Sequence, residues 1–219
     1  MADISDGAPK SRLTVAEIHA ALKEQIMFAA IEPGARIKID AIARDLGVSP
    51  TPVREALQRL ESDNLVDSSP GRGYSTTPLL DAGGLRDLYE FRLLLEPWAA
   101  RSAAVARLAN PARHLRSLID DLKVALEGNG DRRRELLAHD TAFHNAIIEA
   151  ANNGVMTQAY EHTHCHLHIY RLQPDDVHVD VTLEEHAALA TAIEVSDPTA
   201  AEAAMRAHLE NSFTRYSRG

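Results

Sequence analysis

The sequence predicts a mainly α-helical protein in two parts: a small N-terminal helical unit closed by a β-hairpin, and a larger all-α antiparallel bundle. Two observations carry this. Residues 14–78 show three apolar helical stripes followed by a Ser-, Gly- and Pro-rich stretch, SSPGRGYSTTP. From about residue 81 to 218, apolar positions recur at helical spacing, and no segment alternates as a strand does. The chain has 219 residues, 45% hydrophobic and 25% charged, which suits a folded globular protein of one large or two modest domains. No apolar run approaches the ~18 residues of a membrane helix, so no membrane partner is expected. The first residues, MADISDGAPKSRL, lack a signal pattern, which leads us to expect a cytoplasmic protein. The single cysteine, Cys165, rules out an internal disulfide or a Cys-rich zinc module.

Taken in order, residues 1–12 read as a flexible tail. A helix follows over VAEIHAALKEQIMFAAI, with Val15, Ile18, Leu22, Ile26 and Ala29 on one face. Thr14 and Glu17 fit a capping box, and Pro33-Gly34 is the expected stop. In KIDAIARDLG, Asp40 is the expected N-cap, Ile42 and Leu46 face inward, and Gly47 suits a left-handed C-terminal position. After Val48-Ser49-Pro50 comes TPVREALQRLESDNLV, with Pro52 in the first helical turn and Val53, Leu57, Leu60 and Leu65 as the buried stripe. Two helices joined by a short turn make a helix-turn-helix, and the hairpin adds a wing. The expected domains are 13–78 for this winged helix-turn-helix, 79–84 for a linker and 85–217 for the bundle. Six helical stretches are expected in the second part, over 81–109, 111–128, 131–152, 154–172, 182–196 and 198–217, with Pro174 among the punctuating residues. Pro97 should kink or split the first of them.

Net charge is -9, which at first argues against a nucleic-acid partner. The charge is uneven, however. Residues 1–78 carry nine basic against eleven acidic residues, and residues 79–219 carry 14 against 21. Ten of the 11 histidines lie after position 78. Net charge does not exclude a focused DNA-reading surface. Ser49 and Thr51 place short hydroxyls at a helix start, where they and free amides can hold a phosphate. Arg54 lies one turn in, opposite Val53 and Leu57, where it can reach a guanine edge or a phosphate. Arg72, between Gly71 and Gly73 at the wing tip, suits the minor groove.

The stretch LGVSPTPVREALQRLESDNLVDSSPGRGY resembles the signature of the GntR family of bacterial transcription regulators, over about residues 13–78. The resemblance implies DNA contact by Ser49, Thr51, Pro52 and Arg54, and by Arg72 and Gly73 of the wing. Pro50 stands where relatives often carry arginine, and Asp40 where some carry a DNA-contacting one; both departures bear on the operator sequence more than on DNA binding itself.

In the second part, Asp140 and His144 in HDTAFHNAII are four apart and share a helix face, about 6 Å apart along the axis. With His186 in EEHAAL and His208 in MRAHLE, they can form an Asp/His/His/His metal site fed by three helices. The alternative is that each histidine is a satisfied core residue. The ligand set suits Zn, Ni, Mn or Fe, with zinc taken first. A competing cluster, HTHCHLH (His162, His164, His166 and His168 around Cys165), cannot all face one ion on a single helix. Most of it reads as surface or cavity lining, with one pair, His162/His166 or His164/His168, facing the pocket.

Residues 81–217 resemble the all-helical FCD ligand-binding domain of the FadR subfamily, through LYEFRLLLEPWAARSAA, DTAFHNAIIEAANN and EEHAALATAIEVSDPTAAEAAMRAHL. The resemblance implies metal ligation by Asp140, His144, His186 and His208, and a small carboxylate effector assisted by Arg92. The alternative role for Arg92 is an i,i+4 ion pair with Glu96. The function expected is a ligand-responsive transcription regulator and repressor, binding a pseudo-palindromic operator as a homodimer. The rival is a metal-dependent hydrolase. No general base or nucleophile motif supports it, and metal removal would abolish its turnover, whereas a regulator has none.

Overall fold

The computed structural model describes residues 13–106, 108–128, 130–172 and 178–217. The tail over residues 1–12 and the punctuating Pro174 lie outside the described residues. The chain forms two compact units, residues 1–78 and 79–219.

The first unit opens with α1 (Val15–Met27). Thr14 and Glu17 form the capping box, and Ile18, Leu22 and Ile26 are buried. The helix ends earlier than Pro33-Gly34 suggests. Ala29 turns left-handed (φ 57) and is exposed, so it leaves the buried face. A two-residue strand, β1 (Arg36–Ile37), follows. It is too short to show a period, and the sequence did not reveal it. Helix α2 (Ile39–Asp45) is capped by Lys38, so Asp40 lies inside the first turn and is not the N-cap. At the other end Gly47 is left-handed (φ 66). There the Val48 amide donates to Ala43 O at 2.9 Å and the Gly47 amide to Arg44 O at 3.2 Å, a Schellman closure.

Helix α3 (Pro50–Ser62) buries Val53, Ala56, Leu57 and Leu60. Leu65 is buried too, though beyond the helix. The wing is β2 (Val66–Ser69) and β3 (Gly73–Thr76). The sheet has three antiparallel strands in the order β1-β3-β2, with Ile37 opposite Tyr74 and Ser69 opposite Gly73. Gly71 and Gly73 have φ of 74° and 80°, which explains glycine on both sides of Arg72. Thr76 pins β1 to the sheet: its Oγ1 donates to Glu32 O at 2.6 Å and accepts from the Ala35 amide at 3.0 Å.

The second unit contains only helices among its described residues: α4 (Ala82–Ala104), α5 (Ala112–Glu127), α6 (Arg132–Ala150), α7 (Gly154–Thr163), α8 (Cys165–Tyr170), α9 (Val179–Glu194) and α10 (Pro198–Tyr216). Helix α4 packs along α10 and also meets α6 and α9, while α5 lies against α6 and α9. Pro97 does not split α4, which continues to Ala104. The stretch 154–172 is not one helix. His164 adopts φ 46, ψ 37 and separates α7 from α8. That break re-aims the residues after it.

Candidate functional site

On α6, Asp140 and His144 point the same way into the bundle and are 7% and 0% exposed. His186 of α9 and His208 of α10 meet them, at 0% and 3% exposure. One donor atom from each of the four lies within 4.8 Å of all the others. His186 Nε2 is 3.4 Å and His144 Nε2 3.7 Å from Asp140 Oδ1. Donors held ~2.1 Å from a common ion stand roughly 3.0–3.4 Å apart. Among the described residues, His144 Nε2 and His186 Nε2 are buried with no hydrogen-bond partner. Buried polar nitrogens normally have one. Two such nitrogens aimed at a carboxylate oxygen therefore fit a metal ion. All four residues expected to ligate a metal are brought together.

The far side of each ring explains why these nitrogens carry lone pairs. His144 Nδ1 is tied to Glu96 Oε2, and His208 Nδ1 to Glu185 Oε2 at 2.7 Å. Next to a carboxylate, which only accepts, each Nδ1 carries the proton. His186 Nδ1 lies 2.9 Å from His139 Nε2, and His139 Nδ1 lies 3.0 Å from Leu118 O. The carbonyl accepts only, so His139 is protonated at Nδ1 and His186 Nδ1 donates to it. His186 Nε2 is then left bare. Phe143 stacks on the His186 ring at 3.9 Å and 5°. Outer partners of this kind fix ring orientation and tautomer at metal sites.

Asp140 is anchored by His166, whose Nδ1 donates to Oδ2 at 2.9 Å. The other nitrogen of His166 meets Tyr160 Oη at 2.9 Å. This leaves Asp140 Oδ1 to the centre. Burial acts to raise the Asp140 pKa, but the His166 hydrogen bond and the surrounding imidazoles outweigh it and hold the carboxyl well below its usual range. Burial pushes His144 down to about 4 and His186 well below normal, so both are neutral at pH 7. His166 goes the other way, up to about 10, because Cys165 and Asp140 outweigh its burial.

Sequence reasoning missed Glu96, Glu185 and His139 as supports. Each contacts its histidine from another helix, so no spacing rule points to it. His166 lay in the His-rich cluster but was not separable from its neighbours while 154–172 read as one helix. The break at His164 buries His166 and leaves His162 exposed. The two therefore do not face the pocket as a pair.

Arg92 is 1% exposed and forms the ion pair with Glu96, its Nε donating to Oε1 at 2.5 Å. Its guanidinium also lies against the Tyr89 ring and 3.4 Å from His144 Nδ1. That is the side of His144 away from the converging nitrogens.

In the first unit, Ser49, Thr51, Arg54, Arg72 and Gly73 are exposed and Pro52 is half-buried. Ser49 is the N-cap of α3, but its side chain makes no cap hydrogen bond. Pro50 and Pro52 both fall in the first turn and lack an N–H, so fewer free amides face an incoming phosphate than the sequence suggested. At the wing, Arg36, Arg72, Gly73 and Tyr74 line a groove of about 360 Å³, which adds Arg36 and Tyr74 to the candidate surface.

Comparison with known proteins agrees with both halves. The profile of the bacterial regulatory proteins of the gntR family matches residues 14–75, and that of the FCD domain matches residues 87–211. The chain belongs to the GntR family, in its FadR-like, FCD-containing subfamily. It is similar to the HTH-type transcriptional regulator YdhC of Bacillus subtilis, 26% identical over 87% of this chain and 85% of the relative. It is also similar to the "probable D-xylose utilization operon transcriptional repressor" of Paenarthrobacter nicotinovorans, 32% identical over 80% of this chain and 76% of the relative. Among solved structures, Escherichia coli McbR/YncC shares the fold with a TM-score of 0.73 at 22% identity, covering 93% of this chain and 97% of that one. This GntR regulator is a DNA-binding transcription factor rather than an enzyme. Its family domains imply DNA and a small ligand as partners. No described helix is long and apolar enough to cross a membrane.

Proposed function

We propose that this GntR regulator is a cytoplasmic, metal-containing repressor that binds a pseudo-palindromic operator as a homodimer and answers to a small carboxylate. The observation that carries the metal reading is the convergence of Asp140, His144, His186 and His208 within 4.8 Å, with two buried imidazole nitrogens unpartnered. Three imidazoles and a carboxylate suit a divalent transition ion, zinc first, with nickel, manganese or iron fitting the same set. When bound, the ion would join α6, α9 and α10 and offer a Lewis-acidic position to a carboxylate. The residues themselves do the positioning. Glu96, Glu185 and His139 hold the three ring tautomers, and His166 turns Asp140 Oδ1 inward. Arg92 acts in this reading through Glu96, as a support of His144.

DNA reading falls to Ser49, Thr51, Pro52 and Arg54 at the start of α3, and to Arg72 and Gly73 at the wing. A homodimer would present two such units to two half-sites. The repressor assignment follows the Paenarthrobacter relative, described as a transcriptional repressor of a D-xylose utilization operon. An effector changes DNA affinity only if it binds the free and DNA-bound forms unequally.

The test is elemental analysis of the purified chain with a thermal-shift screen of small carboxylates, with and without chelator. Near one ion per chain and a chelator-sensitive shift with one acid class support the proposal. A metal-free protein whose melting ignores chelator and added zinc refutes the metal centre and reduces the histidine cluster to core packing.

A further inference from the structure

Beside the four converging donors lies a polar cavity of about 10 Å³, lined in part by Asp140, Thr182, His208, Ser212, Arg215 and Tyr216. That is room for one water, and even acetate is several times larger. A carboxylate reaches the cavity only if a lining side chain yields. Arg92 is not among the lining residues, since its guanidinium is enclosed by Glu96, Tyr89 and His144.

Arg215 is placed differently. It sits in the last turn of α10, and its side chain is 15% exposed, so it meets both the cavity and solvent. Its guanidinium already holds a carboxylate: Nη1 donates to Glu185 Oε1 at 3.0 Å and Nη2 to Oε2 at 2.9 Å. Glu185 does not depend on the arginine alone. Its Oε2 also accepts from His208 Nδ1 at 2.7 Å, and its Oε1 from Asn211 Nδ2 at 2.9 Å. If Arg215 lets go, Glu185 keeps both contacts and His208 keeps its orientation.

We propose that Arg215 is the anion-receiving residue of this cavity: the carboxylate of a small organic acid replaces Glu185 in its guanidinium fork, while Glu185 stays on His208 and Asn211. The inference rests on reading the bundle as an effector site, and it names the residue and the exchange by which the effector enters. One bidentate pair is traded for another, so the guanidinium is never left buried without a partner. The trade removes a tie between α9, which carries Glu185, and α10, which carries Arg215. Occupancy is thereby converted into a change at the α9–α10 contact.

The two partners should respond with opposite signs. The full chain, loaded with zinc, is titrated with acetate by calorimetry at constant ionic strength, with acetamide as the uncharged control. Saturable acetate binding is expected, with none for acetamide. Arg215→Gln should weaken acetate binding about tenfold or more, since it removes a charge-assisted bidentate pair. Glu185→Gln should strengthen it severalfold, because the internal competitor is gone. Circular dichroism and zinc stoichiometry serve as fold and site controls. A purely structural ion pair would weaken binding in both variants. The proposal is overturned if wild type binds no acetate, if Arg215→Gln stays within twofold of wild type, or if Glu185→Gln binds more weakly. The same titrations on chelator-treated protein separate the two ideas. A chain that takes up no zinc sinks the metal assignment, and the opposite signs of the two variants still decide the arginine.

Discussion

His139 has no direct place among the converging donors, yet His139→Phe should cost the protein most of its zinc affinity. In the native chain, Leu118 O accepts from His139 Nδ1, and His139 Nε2 accepts from His186 Nδ1. Phenylalanine preserves the ring volume beside Phe143, whose centroid is 5.6 Å from that of His139, but offers no acceptor. Two outcomes are open to His186. It can keep its proton on Nδ1, now buried and unpaired, at a cost of ~1–3 kcal/mol. It can instead move the proton to Nε2, which blocks that nitrogen as a ligand. Without zinc the ring takes the Nε2 tautomer, facing Asp140 Oδ1, and zinc binding must force it back to the unpaired Nδ1 form, so zinc affinity should fall ~10–100-fold, the usual effect of losing an outer-shell partner, or about 1.4–2.7 kcal/mol. His139→Gln, whose amide oxygen can still accept from His186, should lose less. Competition against a chromophoric zinc chelator at pH 7.5 measures both, with far-UV circular dichroism as the fold control. A folded His139→Phe protein with zinc affinity within twofold of wild type would refute the tautomer relay.

Three further outcomes are expected. His208→Ala should lower zinc content to well under one ion per chain while leaving DNA affinity in the metal-free state unchanged; full zinc occupancy by elemental analysis would count against the ligand set. Arg54→Ala should weaken binding to a duplex selected with the wild-type protein by ~1–3 kcal/mol, with fold and metal content intact, and an unchanged anisotropy titration would remove Arg54 from the DNA surface. Metal-free protein should lose stability as pH falls from about 6.5 toward 4. Burial holds His144 and His168 at about 4 in the fold against ~6.5 in the unfolded chain, so the unfolded state binds more protons in that window. His166, raised to about 10, acts above that window: its contribution is present below ~6.5 and is lost as pH rises through 10. Urea midpoints at pH 6.5 and 4.5 check the acid limb, and equal midpoints would contradict it.

The organisation of the first unit was largely readable because its determinants are local. The capping box at Thr14 and Glu17, the left-handed Gly47, the apolar stripe of α3 and the glycines at the wing tip are each set by neighbours within a few residues. One error there was also local and the other was not. Asp40 has the chemistry of an N-cap, but the chain enters α2 at Lys38. The strand at Arg36–Ile37 exists only because β3, some 40 residues later, offers it a partner.

In the bundle, the four candidate metal ligands were legible: Asp140 and His144 by their spacing, His186 and His208 as histidines on separate helices and by resemblance. A residue's type and its helix face are properties of the sequence. Which nitrogen of each histidine bears the proton is not. That depends on what lies behind the ring, and only tertiary packing brings Glu96 to His144, Glu185 to His208 and His139 to His186 across helix boundaries. The same holds for Arg92 and Arg215. Both are arginines on helices that line the bundle, and resemblance offered the first as the effector's partner, with an ion pair to Glu96 as the equal alternative. Packing encloses Arg92 with Glu96 and leaves Arg215 at the edge of the cavity, because burial is decided by the neighbouring helices and not by the residue itself.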